Sequence, residues 1–176
     1  MSDDRRLFFA VEVPDAIRQE IIDWRARHFP DDTGRPVAAA SLHLTLAFLG
    51  EVSAAKSQAL CAQAARIRQP GFSITLDDAG HWPRSRVVWV GPRRAERGLL
   101  QLASLLRAQA ARSGCPQRSL PFLPHITLWR QARHDIALPA PGFLWRWQVD
   151  SFTLFESQFQ SGRVRYRALE SWTLSQ

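Results

Sequence analysis

Lysine is almost missing from this chain of 176 residues: among its 23 lysines and arginines, only Lys56 is a lysine. Tyrosine and methionine occur once each, and cysteine only as Cys61 and Cys115. Two isolated cysteines without CxxC spacing exclude a disulfide framework and the usual zinc cluster. Cys61, in an alanine-rich helical stretch, reads as a buried structural thiol, while Cys115 follows Gly114 at a helix end. No apolar run approaches the roughly 18 residues that span a bilayer. The N-terminal run is short and is followed by Glu12 and Pro14, so no signal peptide is expected and the expected location is cytoplasmic. HExxH, clustered carboxylates, a GxSxG elbow and a Walker-type phosphate loop are all absent. The sequence therefore points to no metal and no cofactor.

What is present is an ordinary globular composition, 45% hydrophobic and 22% charged, which excludes a disordered chain. The length suits a single domain over 1–176, built as two small lobes sharing a core. A net charge of +7 favours a polyanionic partner such as nucleic acid. Arginine's planar fork also suits phosphate. A genome rich in G and C accounts for most of the arginine-to-lysine ratio, though not for the net charge.

Along the chain, Leu7 to Val13 reads as a buried strand stopped by Pro14, which opens a helix to His28 with Ile17, Ile21 and Trp24 on one face. Residues 30–36 form a turn-rich loop. Leu42 to Leu49 is a strand, after which Ser53 caps a helix to about Ile67. Strands at 72–77 and 87–90 flank a loop holding His81, Trp82, Pro83 and Arg84. A third helix, 95–112, carries Leu99, Leu102, Leu105 and Leu106 on one stripe and stops at Gly114. Strands follow at 126–129, 147–155 and 164–174. The order describes an α+β fold with substantial antiparallel sheet.

One short element occurs twice: His43-Leu44-Thr45-Leu46 and His125-Ile126-Thr127-Leu128. On a strand, each copy presents an imidazole and a hydroxyl on one face and two apolar residues on the other. A single such pair is weak; two copies in a chain with five histidines are not. Lobes related by an approximate two-fold axis would bring both pairs to one central cleft. Histidine titrates near neutrality, so two of them can coexist as one neutral base and one protonated acid. The threonine hydroxyls can hold the non-bridging oxygens of a phosphate while water attacks.

On this motif pair, with the Leu-Phe-Phe-Ala start, Arg86-Val-Val-Trp and Pro124-His-Ile-Thr-Leu, the chain resembles the two-histidine (2H) phosphoesterase superfamily. Within it, the whole chain is most similar to the bacterial RNA branch of LigT-like enzymes. The resemblance implies a bilobal, pseudo-two-fold LigT-like fold with antiparallel sheets around a cleft. It implies metal-independent opening of RNA 2′,3′-cyclic phosphates to 2′-phosphates, with His43 as proton donor and His125 as acceptor. Implied partners are RNA with cyclic phosphate ends or cyclic nucleotides; the expected state is a monomer with no membrane partner. Two other readings stay open: a main role in joining or cleaving 2′-5′ RNA linkages, and a non-catalytic RNA- or nucleotide-binding module.

Strand alternation extends the cleft-facing rows to Ala47 and Leu49 in the first copy and to Trp129 in the second. Trp129 reads equally as a base-stacking platform or a core tryptophan. Arg130 could clamp phosphate, provided a bulge or strand end turns it inward. Phe9 is a further candidate for the base pocket, with a core role as its competitor. His28 lies at a helix C-terminus, His134 in a polar loop, and His81 beside Trp82 and near Arg84 and Arg86.

Overall fold

The computed structural model describes residues 3–175. In chain order its elements are β1 (Arg5–Glu12), α1 (Asp15–His28), β2 (Arg35–Pro36), β3 (His43–Val52), α2 (Ala54–Ala64), β4 (Phe72–Leu76), β5 (Asp78–Trp82), β6 (Val87–Gly91), α3 (Arg97–Arg112), β7 (Ile126–Arg130), β8 (Trp145–Val149), β9 (Ser151–Gln160) and β10 (Arg163–Thr173). Pro14 precedes α1 and its carbonyl accepts from the Arg18 amide at 2.8 Å, while Asp15 and the late Arg25, Arg27 and His28 complement the helix dipole. Ser53 caps α2 by accepting from the Lys56 amide at 3.2 Å. After α3, Gly114 takes φ +85°, and the amides of Gly114 and Cys115 donate to the carbonyls of Ala111 and Ala110. This Schellman closure turns the chain inward and buries Cys115. Cys61, expected to be buried, is only half-buried on α2.

Two four-stranded antiparallel sheets dominate, in the orders β10-β9-β1-β3 and β2-β7-β6-β5, with β4 and β8 forming a separate ribbon. Residues paired across antiparallel strands share a face. Leu7, Phe9, Val11, Leu44, Leu46 and Leu154 of the first sheet lie in one continuous core with Leu99, Leu102 and Leu106 of α3 and Val88, Val90, Ile126 and Leu128 of the second sheet. A second, small apolar cluster of Phe8, Ala10 and Phe155, with Tyr166 against it, lies apart from that core. Among the described residues, no helix is long and apolar enough to cross a membrane.

Three local expectations change. The segment read as a loop around His81 contains β5, despite the weak strand formers Asp78 and Gly80, because it pairs fully with β6. Gly80 is needed there, since a Cβ would run into the indole of Trp89, its cross-strand partner. The single strand expected over 147–155 is two: β8 pairs with β4, and after Asp150 the chain joins β1 and β10 as β9. Leu105 leaves the buried stripe of α3 and is exposed, the contact falling instead to Leu102, Ala103 and Leu106.

Candidate active site

β3 starts at His43 and β7 starts one residue after His125, so both histidines stand where a strand begins. Their surroundings repeat. His43 Nδ1 donates to the Ser41 carbonyl at 2.7 Å, and His125 Nδ1 donates to the Leu123 carbonyl at 2.8 Å, in each case two residues upstream. A carbonyl can only accept, so these bonds place the Nδ1 proton and leave Nε2 as the reactive nitrogen of the neutral ring. The Thr45 hydroxyl lies 2.9 Å from His43 Nε2 and donates to it in that tautomer.

A matched irregularity follows each pair. Against β1, Ala10 sits opposite Thr45 and Phe9 opposite Ala47, so Leu46 is an extra residue on β3; Leu49 is skipped in the same way. Against β6, Trp89 sits opposite Thr127 and Val88 opposite Trp129, so Leu128 is the extra residue on β7. A bulge resets the alternation of faces. Ala47 and Leu49, expected to line the cleft, are therefore buried, and Phe48 emerges at 68% exposure. Trp129 is likewise only 4% exposed, packed by Phe29 and beneath the Arg25 guanidinium, and is no stacking platform. The reset brings Arg130 out at the corresponding place. Leu128 is held in this setting by its carbonyl, which accepts from the Val37 amide at 2.9 Å and Arg25 Nη1 at 3.1 Å.

Beyond Arg130 the strand is stopped by Gln131, whose φ of +50° is in the left-handed region. Arg86, itself at φ +58°, straps this stop in place. Its Nε donates to the Ala132 carbonyl at 3.1 Å, its Nη2 to the Gln131 carbonyl at 3.5 Å, and its own carbonyl accepts from the Ala132 amide at 2.9 Å.

Phe9, the other aromatic candidate, is 1% exposed and packs on Phe152 and Trp172 in the core. The neighbouring Phe8 is the one at the site. Its ring stacks on His43 at 4.9 Å between centroids, and Tyr166 meets the same imidazole edge-on at 5.0 Å. Trp82 of β5 meets His125 edge-on at 4.7 Å and leans on Trp89, which lies over Gly80. Phe8, Phe48 and Trp82 were not legible as site residues. For Tyr166 a signal existed, because Val164, Tyr166 and Ala168 alternate strictly with Arg163, Arg165 and Arg167. In the all-apolar run of β1 no alternation separates Phe8 from Phe9.

Burial holds both imidazoles below their ordinary pKa. His43 is pushed down to about 4, chiefly by desolvation, with the charges of Arg130 and His125 adding and the Ser41 bond partly offsetting. His125 is lowered by the same desolvation and by Arg130, against the Leu123 bond. Arg130 thus acts on both rings at once. Among the described residues, no group of three or more His, Cys, Asp or Glu side chains is placed to hold a metal ion. Of the other histidines, His28 packs on Trp24 at 5.2 Å, His81 precedes Trp82 on β5, and His134 is exposed in the loop after β7.

Two sheets that each bring a histidine near the same arginine, with His125 and Arg130 both acting on His43, define a two-histidine phosphoesterase. The chain belongs to the LigT-like phosphoesterase family, whose model matches residues 11–89. It is 61% identical over 176 residues, all of both chains, to a protein of Escherichia coli (strain K12) named RNA 2′,3′-cyclic phosphodiesterase. A protein of the same name from Thermus thermophilus is 34% identical, with 96% of this chain and 90% of the relative covered. The crystal structure of E. coli LigT complexed with 3′-AMP superposes with a TM-score of 0.96 at 60% identity, covering 99% of this chain and 100% of the other.

Proposed function

We propose that this chain hydrolyses 2′,3′-cyclic phosphodiester ends of RNA to 2′-phosphomonoesters. The observation that carries the reading is the duplicated imidazole, with each Nδ1 tied to a carbonyl and each pair within reach of Arg130's charge. The names of the relatives agree with it. Water adds to phosphorus as His125 Nε2 takes its proton; the bond from phosphorus to the 3′-oxygen breaks as His43 Nε2 gives that oxygen a proton. The 2′-ester remains, and a second proton exchange with solvent restores both rings. Thr45, Thr127 and Arg130 hold the non-bridging oxygens as charge builds on them. The anionic phosphate itself supplies the charge that lifts His43 from about 4 towards the range of a working acid.

The test is product analysis with purified protein on cyclic-ended RNA in EDTA, beside 2′-5′ dinucleotides for comparison. A 2′-phosphate product made undiminished by the chelator is expected. His43→Ala and His125→Ala should each lower kcat by about a thousand-fold with the fold retained. A 3′-phosphate product, loss of activity in EDTA, or either variant near wild-type rate would overturn the mechanism.

A further inference from the structure

Phe159 of β9 is 74% exposed, and its direct cross-strand partner, Val164 of β10, is 51% exposed. Apolar pairs at a hairpin tip are normally withdrawn from water, and none of the described residues covers this one. Register says which way the pair faces. Phe155 stacks on Phe8, and Tyr166 touches both Phe8 and the His43 ring, so these residues face the candidate active site. Side chains two apart on a strand share a face. Phe159, four after Phe155, and Val164, two before Tyr166, therefore lie on that same face. Arg6 lies there too, two before Phe8 on β1, in the row shared by Ser157 and Tyr166. Phe8 and Phe155 are themselves buried, so the strip of this face open to solvent runs from the half-exposed Tyr166, packed over Phe8, across Arg6 and Ser157, to Phe159 and Val164. From Phe155 to Phe159 the face extends about 13 Å along the strand.

We infer that this strip is a second binding site, for the single-stranded RNA that precedes the cyclic phosphate. The inference rests on the proposed function and deepens it. A cyclic phosphate occupies the 2′- and 3′-oxygens of its ribose, so the rest of an RNA leaves through the 5′-oxygen and must cross the protein surface away from the histidines. Aromatic faces alternating with a cation are what successive bases and a phosphate need, and stacking of this kind tolerates any base. Arg6 supplies the cation between the aromatic cluster and the tip. Occupation by a second copy of this chain would use the apolar pair but leave Arg6 without a role.

The test compares one terminal nucleotide in two contexts: a cyclic mononucleotide, and a short unstructured oligoribonucleotide ending in the same cyclic phosphate. Wild type should favour the oligonucleotide in kcat/KM. Phe159→Ala should lower kcat/KM on the oligonucleotide about ten-fold, the order expected for one lost stacked base, and leave the mononucleotide unchanged. Arg6→Gln should shallow the salt dependence for the oligonucleotide alone. The mononucleotide rate reports folding in every variant. Equal rates on both substrates in wild type, or an oligonucleotide advantage that survives Phe159→Ala, would overturn the second site. So would a dimer in solution that Phe159→Ala dissolves. Turnover of neither substrate would overturn the proposed function instead; the strip is then judged by oligonucleotide affinity, and equal affinity in wild type and Phe159→Ala would overturn it.

Discussion

At the scale of single residues, the decisive property of His43 is that it is neutral and enclosed. Its pKa of about 4 lies below the 6.5 of an exposed histidine, which makes it a stability term beside its proposed catalytic role. Between pH 6.5 and 4 the unfolded chain binds a proton that the folded chain refuses. The contribution is therefore complete above pH 6.5 and lost as pH falls towards 4, at most about 3 kcal/mol. Denaturant midpoints measured across this window should fall more steeply for wild type than for His43→Gln; parallel curves would show that the ring is not buried neutral. Catalysis gives the matching signature. Because both free-enzyme histidines are held low, kcat/KM should peak below pH 6.5, whereas kcat should peak at higher pH once the bound phosphate raises the donor.

At the scale of elements, the bulges decide which side chains reach the chemistry. The two copies of His-x-Thr-Leu were legible because they are covalent pattern, and period-two alternation put Thr45 beside His43, where its hydroxyl lies 2.9 Å from Nε2. Two residues later the same rule failed, assigning Ala47 and Trp129 to the cleft when Phe48 and Arg130 take those places. A bulge depends on the neighbouring strand, and neither Leu46 nor Leu128 differs in type from an ordinary strand residue. Trp82 was hidden similarly, since β5 exists only by pairing with β6. On β7 the strap from Arg86 to the Gln131 and Ala132 carbonyls keeps the strand end, and hence Arg130, in position. Arg86→Ala should thus raise KM about ten-fold with a smaller change in kcat, while costing about 1–2 kcal/mol of stability. Arg86→Lys, which cannot reach both carbonyls, should rescue little of the KM. If KM stayed unchanged while only stability fell, the strap would have no part in aiming Arg130.

At the scale of the whole molecule, the site exists only where two sheets meet. In the proposed site the first brings His43 with Thr45 and Phe8 against its ring, and the second brings His125 with Trp82 against its ring and Arg130 acting on both imidazoles. The repeat made the two-fold arrangement foreseeable, and the continuous core through α3 shows what holds the halves in register. What the repeat could not reveal is how unequal the halves have become. The position that holds Arg130 on β7 holds Phe48 on β3, so one lobe offers a cation where the other offers an aromatic face. Unequal halves serving one displacement must act together, since protonating the leaving oxygen is useless without an activated water. The two histidines should therefore be strongly non-additive. If each alanine variant loses about a thousand-fold, independent groups would lose about a million-fold together, whereas a single unit loses little more than either alone. Single-turnover rates on a cyclic mononucleotide for His43→Ala, His125→Ala and the double variant decide between them, and a multiplicative double loss would show that each lobe catalyses its own step.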